Sequence, residues 1–218
     1  MIYEERYTYT VIRGTRDYLA FFRGKMAPAM RAAGGEPLLF LTGMVGDRDN
    51  AVLQICRFPD LASWEAAQKD LTSGREKVVE SDEVRLLRSV ASRPKAVIPP
   101  EDRRACYSYR KLFINPSDLP QFVEDSEKGV WPLYEAADCR IFGLFTTVAA
   151  TNPLELILMT GYNSPSHWWE TRFVEGKPPA IENKTYEQGR RLGANRNTLG
   201  VRGSWVRLWR PHDVSSSG

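Results

Sequence analysis

Displacing this chain along itself by 104 positions (107 − 3 = 104) brings Tyr3-Glu4-Glu5-Arg6 onto Tyr107-Ser108-Tyr109-Arg110, Pro28 onto Pro132, Ala32-Ala33 onto Ala136-Ala137, Thr42 onto Thr146 and Trp64 onto Trp168. No gap is needed across that stretch. One shift that keeps a Tyr-x-x-Arg strand, a helix-borne proline and a tryptophan in register marks an internal duplication, so the chain should hold two copies of one module. Positions where the copies agree then serve the fold. Positions where they disagree are candidate sites.

Each copy must be small, and the composition allows that. With 218 residues, 42% of them hydrophobic, the chain can bury a full core as a soluble globular protein. No apolar run approaches the roughly 20 residues that cross a bilayer, so no membrane association is expected. The 30 basic and 27 acidic residues are interspersed, which gives no reason to expect nucleic acid as a partner. Cys56, Cys106 and Cys139 are odd in number and lie in strand-like segments, the pattern of reduced, buried thiols in a cytoplasmic protein.

The alternating, β-branched and aromatic run from Ile2 to Val11 predicts a strand, with Tyr3, Glu5, Tyr7 and Tyr9 on one face and Arg6 on the other. Tyr18, Phe22, Met26 and Met30 recur every four residues and draw an apolar stripe down a helix. Leu38 to Val45 and Ala51 to Phe58 predict a hairpin, a helix around Leu61, Trp64 and Ala67 follows, and Val84 to Val90 supplies a fourth strand. The order β-α-β-β-α-β is ferredoxin-like.

The same order recurs after Cys106, and Val206 to Arg210 matches Val84 to Arg88 at an offset of 122 (206 − 84), so the second copy has gained about eighteen residues after Trp168. The expected division is a first module at 1–93, a proline-bearing linker at 94–104, a second module at 105–212 with an insertion at 170–199, and a disordered tail at 213–218. The insertion, with Arg172, Lys177, Lys184, Arg190, Arg191 and Arg196 among glutamates, could cap a site and attract an anion, or be a solvated surface with a short helix around Thr185 to Leu192, weakened by Gly189 and Gly193. The fold class is thus α+β. Two tandem ferredoxin-like modules, their sheets facing each other, would form an intrachain dimeric α+β barrel.

The opening Ile2-Tyr3-Glu4-Glu5-Arg6-Tyr7, the Gly46-Asp47 turn and the Phe58-x-x-Leu61-x-x-Trp64 junction resemble the NIPSNAP family of the dimeric α+β barrel superfamily. Cys56 and Ser108 stand where related sequences tend to carry an aromatic and a glutamate. The resemblance implies a barrel and frequent homodimerisation. It also implies a superfamily of cofactor-free monooxygenases, isomerases, haem-dependent members and proteins without a known reaction.

The exchanges between copies single out the second half. Phe22 becomes Ser126, and the deleted ring leaves either a ligand cavity or a space that Trp131, in place of Ala27, refills. His167, beside Trp168, has a side chain suited to moving a proton, or else merely closes a helix turn. Arg110, on the face assigned to the barrel interior, could grip a carboxylate or, like Arg6, pair within the fold. Tyr107, Tyr109 and Tyr134 could orient an aromatic ring or could simply line the core. His212 falls in the polar tail and is read as incidental.

No nucleotide fingerprint, nucleophile elbow or zinc spacing is present, so no cofactor and no metal are expected. The leading reading is an enzyme acting on a small aromatic or polyketide-like substrate, as an isomerase or lyase working by proton transfer or as a cofactor-free monooxygenase. His167 and Tyr134 would be catalytic, and Ser126, Trp131, Tyr107, Tyr109, Arg110 and Trp168 would bind substrate. The competing reading is a non-catalytic module for binding or assembly.

Overall fold

The computed structural model describes residues 1–71 and 74–214. The chain forms two compact units, Met1–Arg88 with Trp209–Gly218, and Ser89–Leu208. The division therefore falls at Arg88/Ser89, ahead of the prolines. The stretch expected to be a linker is packed within the second unit, where Ser92 N–H donates to Glu127, Arg93 donates to Glu135 and Arg104 pairs with Asp138.

The first unit runs β1 (Ile2–Thr10), α1 (Thr15–Phe21), a π-helical segment (Phe22–Met26), α2 (Ala27–Ala32), β2 (Glu36–Val45), β3 (Ala51–Phe58), α3 (Leu61–Leu71) and β4 (Val79–Ser89). Strand β1 lies antiparallel between β3 and β4, and β3 continues antiparallel to β2. Because side chains alternate across a strand, Phe40, Val52, Cys56 and Phe58 meet the Tyr18, Phe22, Met26 and Met30 stripe, all at most 2% exposed. Leu39, Leu41, Leu53 and Ile55 bury the opposite face. Both faces are covered, which is why these strands read as nearly continuous apolar runs.

The second unit runs β5 (Cys106–Ile114), α4 (Leu119–Asp125), a π-helical segment (Ser126–Val130), α5 (Trp131–Ala136), β6 (Arg140–Thr147), β7 (Leu154–Tyr162), α6 (Pro165–Glu170) and α7 (Asn183–Thr198), and β8 (Trp205–His212) is divided between the units. The two π segments stand 104 positions apart (126 − 22). Each is followed by a proline, Pro28 or Pro132, which has no N–H for the carbonyl four residues back and whose ring crowds it. Widening the preceding turn relieves that clash.

The eight strands close into one barrel in the order β1-β3-β2-β8-β5-β7-β6-β4. This corrects the expected architecture of two tandem ferredoxin-like modules whose sheets would face each other. Two open sheets would keep four edges of unpaired N–H and C=O groups, whereas a continuous closed sheet pairs every strand on both sides.

Two further expectations change. The helix of the insertion spans sixteen residues, Asn183–Thr198, and not one short stretch. The tail is tied down through Val214: Arg23 and Arg31 donate to the carbonyls of Asp213 and Val214. The rest of the expected tail, 215–218, lies outside the described residues.

His212, read as incidental, ends β8 with Nε2 at 2.9 Å from Thr42 Oγ1 and its ring edge-on to Phe40. Burial, with Arg23 and Arg210 nearby, lowers its pKa, so the unfolded chain takes up this proton more readily than the folded one. The stability it contributes is complete above the unfolded-state value of about 6.5 and declines as pH falls through it. His212→Gln should flatten the acid limb of a stability-against-pH curve from urea titrations. An unchanged limb would show that His212 is not one of its causes.

Candidate active site

Strand β5 fixes which side chains meet the helices of the second unit. Ser108, Arg110 and Leu112 lie opposite Thr160, Leu158 and Leu156 of β7 on the helix-facing side, while Tyr107 and Tyr109 project to the other face. Arg110 thus faces the helix layer, a correction to its assignment to the barrel interior. Tyr107 and Tyr109 are 2% and 1% exposed, and burial raises the Tyr107 phenol, whose oxygen accepts from Arg104 N–H.

Between this sheet face and the helices lies a cavity of about 370 Å³. Its floor is Ser108, Arg110, Leu112, Leu158, Thr160 and Tyr162. Val130, Trp131, Leu133 and Tyr134 form one wall, and α7 closes over it with Gly189, Gly193 and Arg196. Helix α7 has no apolar stripe. It docks through glycine: Gly189 lies so close to Leu133, and Gly129 to Leu192, that a Cβ on either would fall at 2.5–2.6 Å from the facing side chain.

The ring lost between Phe22 and Ser126 is replaced by a charge. Ser126 is fully buried, its hydroxyl donating to Phe122 C=O at 2.6 Å, and Arg196 Nη1 reaches the same hydroxyl at 3.3 Å with its guanidinium over the Phe122 ring. Trp131 lines the cavity with its indole N–H buried and without an acceptor. Arg172 Nη2 donates to the Tyr134 hydroxyl at 2.7 Å, its plane lies over Trp168, and its Nε–H is buried without a partner.

Four arginines, Arg110, Arg172, Arg196 and the exposed Arg190, therefore line one cavity, and none forms an ion pair among the described residues. Burial, then the charge of Arg172, lowers Arg110. Burial pulls Arg196 down to about 10, with Arg110 and Arg172 acting in the same direction against Tyr134 and Asp125. The counterpart Arg6 behaves oppositely. Burial alone would lower it, yet Glu4, followed by Tyr18 and Asp82, holds it raised. Its guanidinium donates to Glu4 at 2.9 Å, to Asp82 and to Gln68, while Trp64 and Gln68 add donors to Glu4.

The structure brings Arg110, Trp131 and Tyr134 together at the cavity and puts Ser126 behind Arg196. His167 stands apart. Asn163 N–H donates to its Nδ1 at 3.1 Å, so Nε2 carries the proton and donates to Ala137 C=O at 2.6 Å. With both nitrogens engaged, the imidazole offers neither a base nor an axial ligand for haem, the physical objection to a catalytic His167. Among the described residues no three His, Cys, Asp or Glu side chains gather as a metal site requires. Arg172 and Arg196 entered the sequence reading only as members of the charged insertion, which could cap a site and attract an anion or be solvated surface, and neither was singled out as a site residue. The signal was present in the sequence, where the shift of 104 sets Arg172 against Gln68 (68 + 104).

No family model matches the chain, and no curated relative does either. Solved structures do. A candidate monooxygenase from Lactobacillus acidophilus superposes with a TM-score of 0.64 at 12% identity, over 96% of this chain and 93% of that one. A candidate monooxygenase from Fusobacterium nucleatum gives 0.58 at 11%, over 100% and 94%, and an anthrone oxidase-like protein gives 0.56 at 9%, over 100% and 96%. At such identities the likeness establishes a shared α+β barrel fold and leaves the chemistry to the site. Among the described residues no helix is long and apolar enough to cross a membrane.

Proposed function

We propose that the cavity of the second unit is the active site of an enzyme without a nucleotide cofactor, acting on a small aromatic or polyketide-like molecule through an anionic enolate or phenolate. One observation carries this reading: four arginines, three of them partly buried, line a cavity whose walls supply no carboxylate to neutralise them. Fixed positive charge in a partly buried site stabilises negative charge as it develops on a substrate oxygen.

The Tyr134 hydroxyl accepts from Arg172, so its own proton is free to be donated to that oxygen. Leu112, Leu158 and Trp131 supply the apolar walls an aromatic ring requires. His167 acts at one remove, holding the end of α5 by its bond to Ala137 and so fixing Tyr134.

Solvent water reaching the partly open cavity takes the carbon-bound proton, and from the stabilised enolate the return of a proton to a different carbon gives isomerisation. Alternatively, a ring methylene that gives up its proton and passes electrons to dioxygen becomes a carbonyl, with water as the other product. The monooxygenase and anthrone oxidase names among the structural neighbours make this oxidative branch the first to assay.

A thermal-shift screen against phenols, aromatic acids and lactones, followed by oxygen-uptake assays on the hits, tests the reading. A ligand bound only by the folded chain raises Tm, and Tyr134→Phe should then lower kcat by about 10²-fold or more with KM little changed. A screen in which nothing raises Tm, or full turnover in Tyr134→Phe, would refute the site.

A further inference from the structure

The two units place Arg6 and Arg110 on corresponding strands and Trp64 and Trp168 on the helices after the hairpins, and the differences around them describe a missing group. In the first unit Glu4 is the hub: it accepts from Arg6 at 2.9 Å, from Trp64 Nε1 at 2.6 Å and from Gln68 Nε2 at 2.8 Å, and it is 1% exposed. Shifted by 104 positions, Arg6 becomes Arg110, Trp64 becomes Trp168 and Gln68 becomes Arg172, but Glu4 becomes Ser108. The second carboxylate on Arg6, Asp82, becomes Ser204 at the offset of 122, and Arg110 Nη1 reaches Ser204 Oγ only at 3.4 Å.

The donors have been kept or strengthened while both acceptors have been cut back to serine. The consequence is visible in the bonding. Trp64 Nε1 has Glu4, whereas Trp168 Nε1 is buried with no partner. Gln68 could serve Arg6 as an acceptor, whereas Arg172 adds a second cation and leaves its own Nε–H unpartnered. A buried donor without an acceptor costs free energy, so orphaned N–H groups on two adjacent residues beside an unpaired guanidinium call for an acceptor from outside the chain. The polar positions Thr8 and Gln54 have meanwhile become Leu112 and Leu158, which puts apolar side chains on the cavity floor beside Thr160 and Tyr162.

We infer that the ligand of this cavity carries a carboxylate, held by Arg110 and Arg172 of the cavity lining and by Trp168, which packs against Arg172 outside that lining, in the place that the Glu4 side chain fills among Arg6, Gln68 and Trp64. This deepens the reading of the cavity as the active site and rests on it. The substrate class becomes an aromatic or polyketide-like acid, its carboxylate at the strand β5 end and its rings against Leu112, Leu158 and Trp131. A planar carboxylate is favoured over a tetrahedral oxyanion because the group it replaces is itself a carboxylate on the same donors.

Calorimetric titration of the full chain with benzoate, 2-naphthoate and anthracene-2-carboxylate, each against its neutral amide, tests the anchor. At least one acid should bind about 30-fold or more tightly than its amide, since losing one member of a buried charge pair costs at least about 2 kcal/mol. Ser108→Glu supplies the carboxylate from within, and it should raise Tm and abolish acid binding. Ser204→Asp serves the same purpose should Ser108→Glu not fold. Trp168→Phe should weaken the acid about tenfold and the amide hardly at all, a difference that a purely structural tryptophan would not produce. Acids and amides binding alike, with Ser108→Glu and Ser204→Asp without effect, would overturn the anchor and leave the aromatic pocket standing. Failure of every aromatic to bind would overturn both.

Discussion

Replacing Arg6 by leucine is expected to destabilise the fold by about 3 kcal/mol, while the same change at Arg110 leaves stability unchanged or raises it. The two arginines hold equivalent strand positions. Arg6 is 3% exposed, between Glu4 and Asp82, and removing it strands Glu4 in a dry interior. Breaking a buried pair costs about 3–5 kcal/mol, and the low end applies because Trp64 and Gln68 still donate to Glu4 and Arg75 still pairs with Asp82. Arg110 has no such partner, so its removal relieves repulsion by Arg172 and the desolvation of a cation. Urea unfolding of both variants, with the m-value checked for constancy, measures the difference. Equal losses at the two positions would mean that Arg110 is paired after all.

Two glycines in one helix should respond with opposite signs. A Cβ at Gly189 would lie 2.5 Å from Leu133 Cβ and 3.1 Å from the Gly129 carbonyl, and Leu133 is 2% exposed with little room to retreat. Gly189→Ala should therefore cost about 1–3 kcal/mol, overriding the roughly 1 kcal/mol that alanine gains over glycine in a helix. At Gly193 the nearest atom to an added Cβ is Val130 Cγ2 at 3.6 Å, an ordinary contact. Gly193→Ala should stabilise by about 0.5–1 kcal/mol. Since α7 roofs the cavity, Gly189→Ala should also impair binding of any cavity ligand. Thermal melts of the two variants with and without ligand decide the matter, and destabilisation at both positions would contradict the docking through Gly189.

Much of this was legible from one shift of the sequence against itself. The offset of 104 placed strands, hairpins and helices correctly, and the exchange of Phe22 for Ser126 pointed to the space beneath the second long helix. Strand alternation settled which residues share a face but not which face looks inward. That choice depends on packing against both sides of a closed sheet, and so Arg110 was assigned to the wrong layer and Tyr107 and Tyr109 were expected at the cavity.

Closure itself was misjudged because pairing between strand edges leaves no trace in hydrophobic period. His167 drew attention as a rare titratable side chain beside tryptophans, yet both of its nitrogens serve the backbone, a fact only coordinates supply. Arg172 and Arg196 stood in a segment that could cap a site, but its balance of charge, which also fits solvated surface, did not distinguish them from their neighbours. The Gln68-to-Arg172 exchange could have been found by carrying the offset three residues past Trp168 and its neighbour, whereas nothing in the sequence brings Arg196 to Ser126.

The central claim is that the second unit has kept the donors of the first and given up their carboxylate to a ligand. A crystal structure of the full chain with an aromatic carboxylate such as 2-naphthoate tests this most directly. The account predicts the carboxylate oxygens about 3 Å from the Arg110 guanidinium and from Trp168 Nε1, with the rings against Leu112 and Leu158. A bound acid with its carboxylate turned away from these donors, or an Arg110 already bonded to a carboxylate of its own chain, would contradict it.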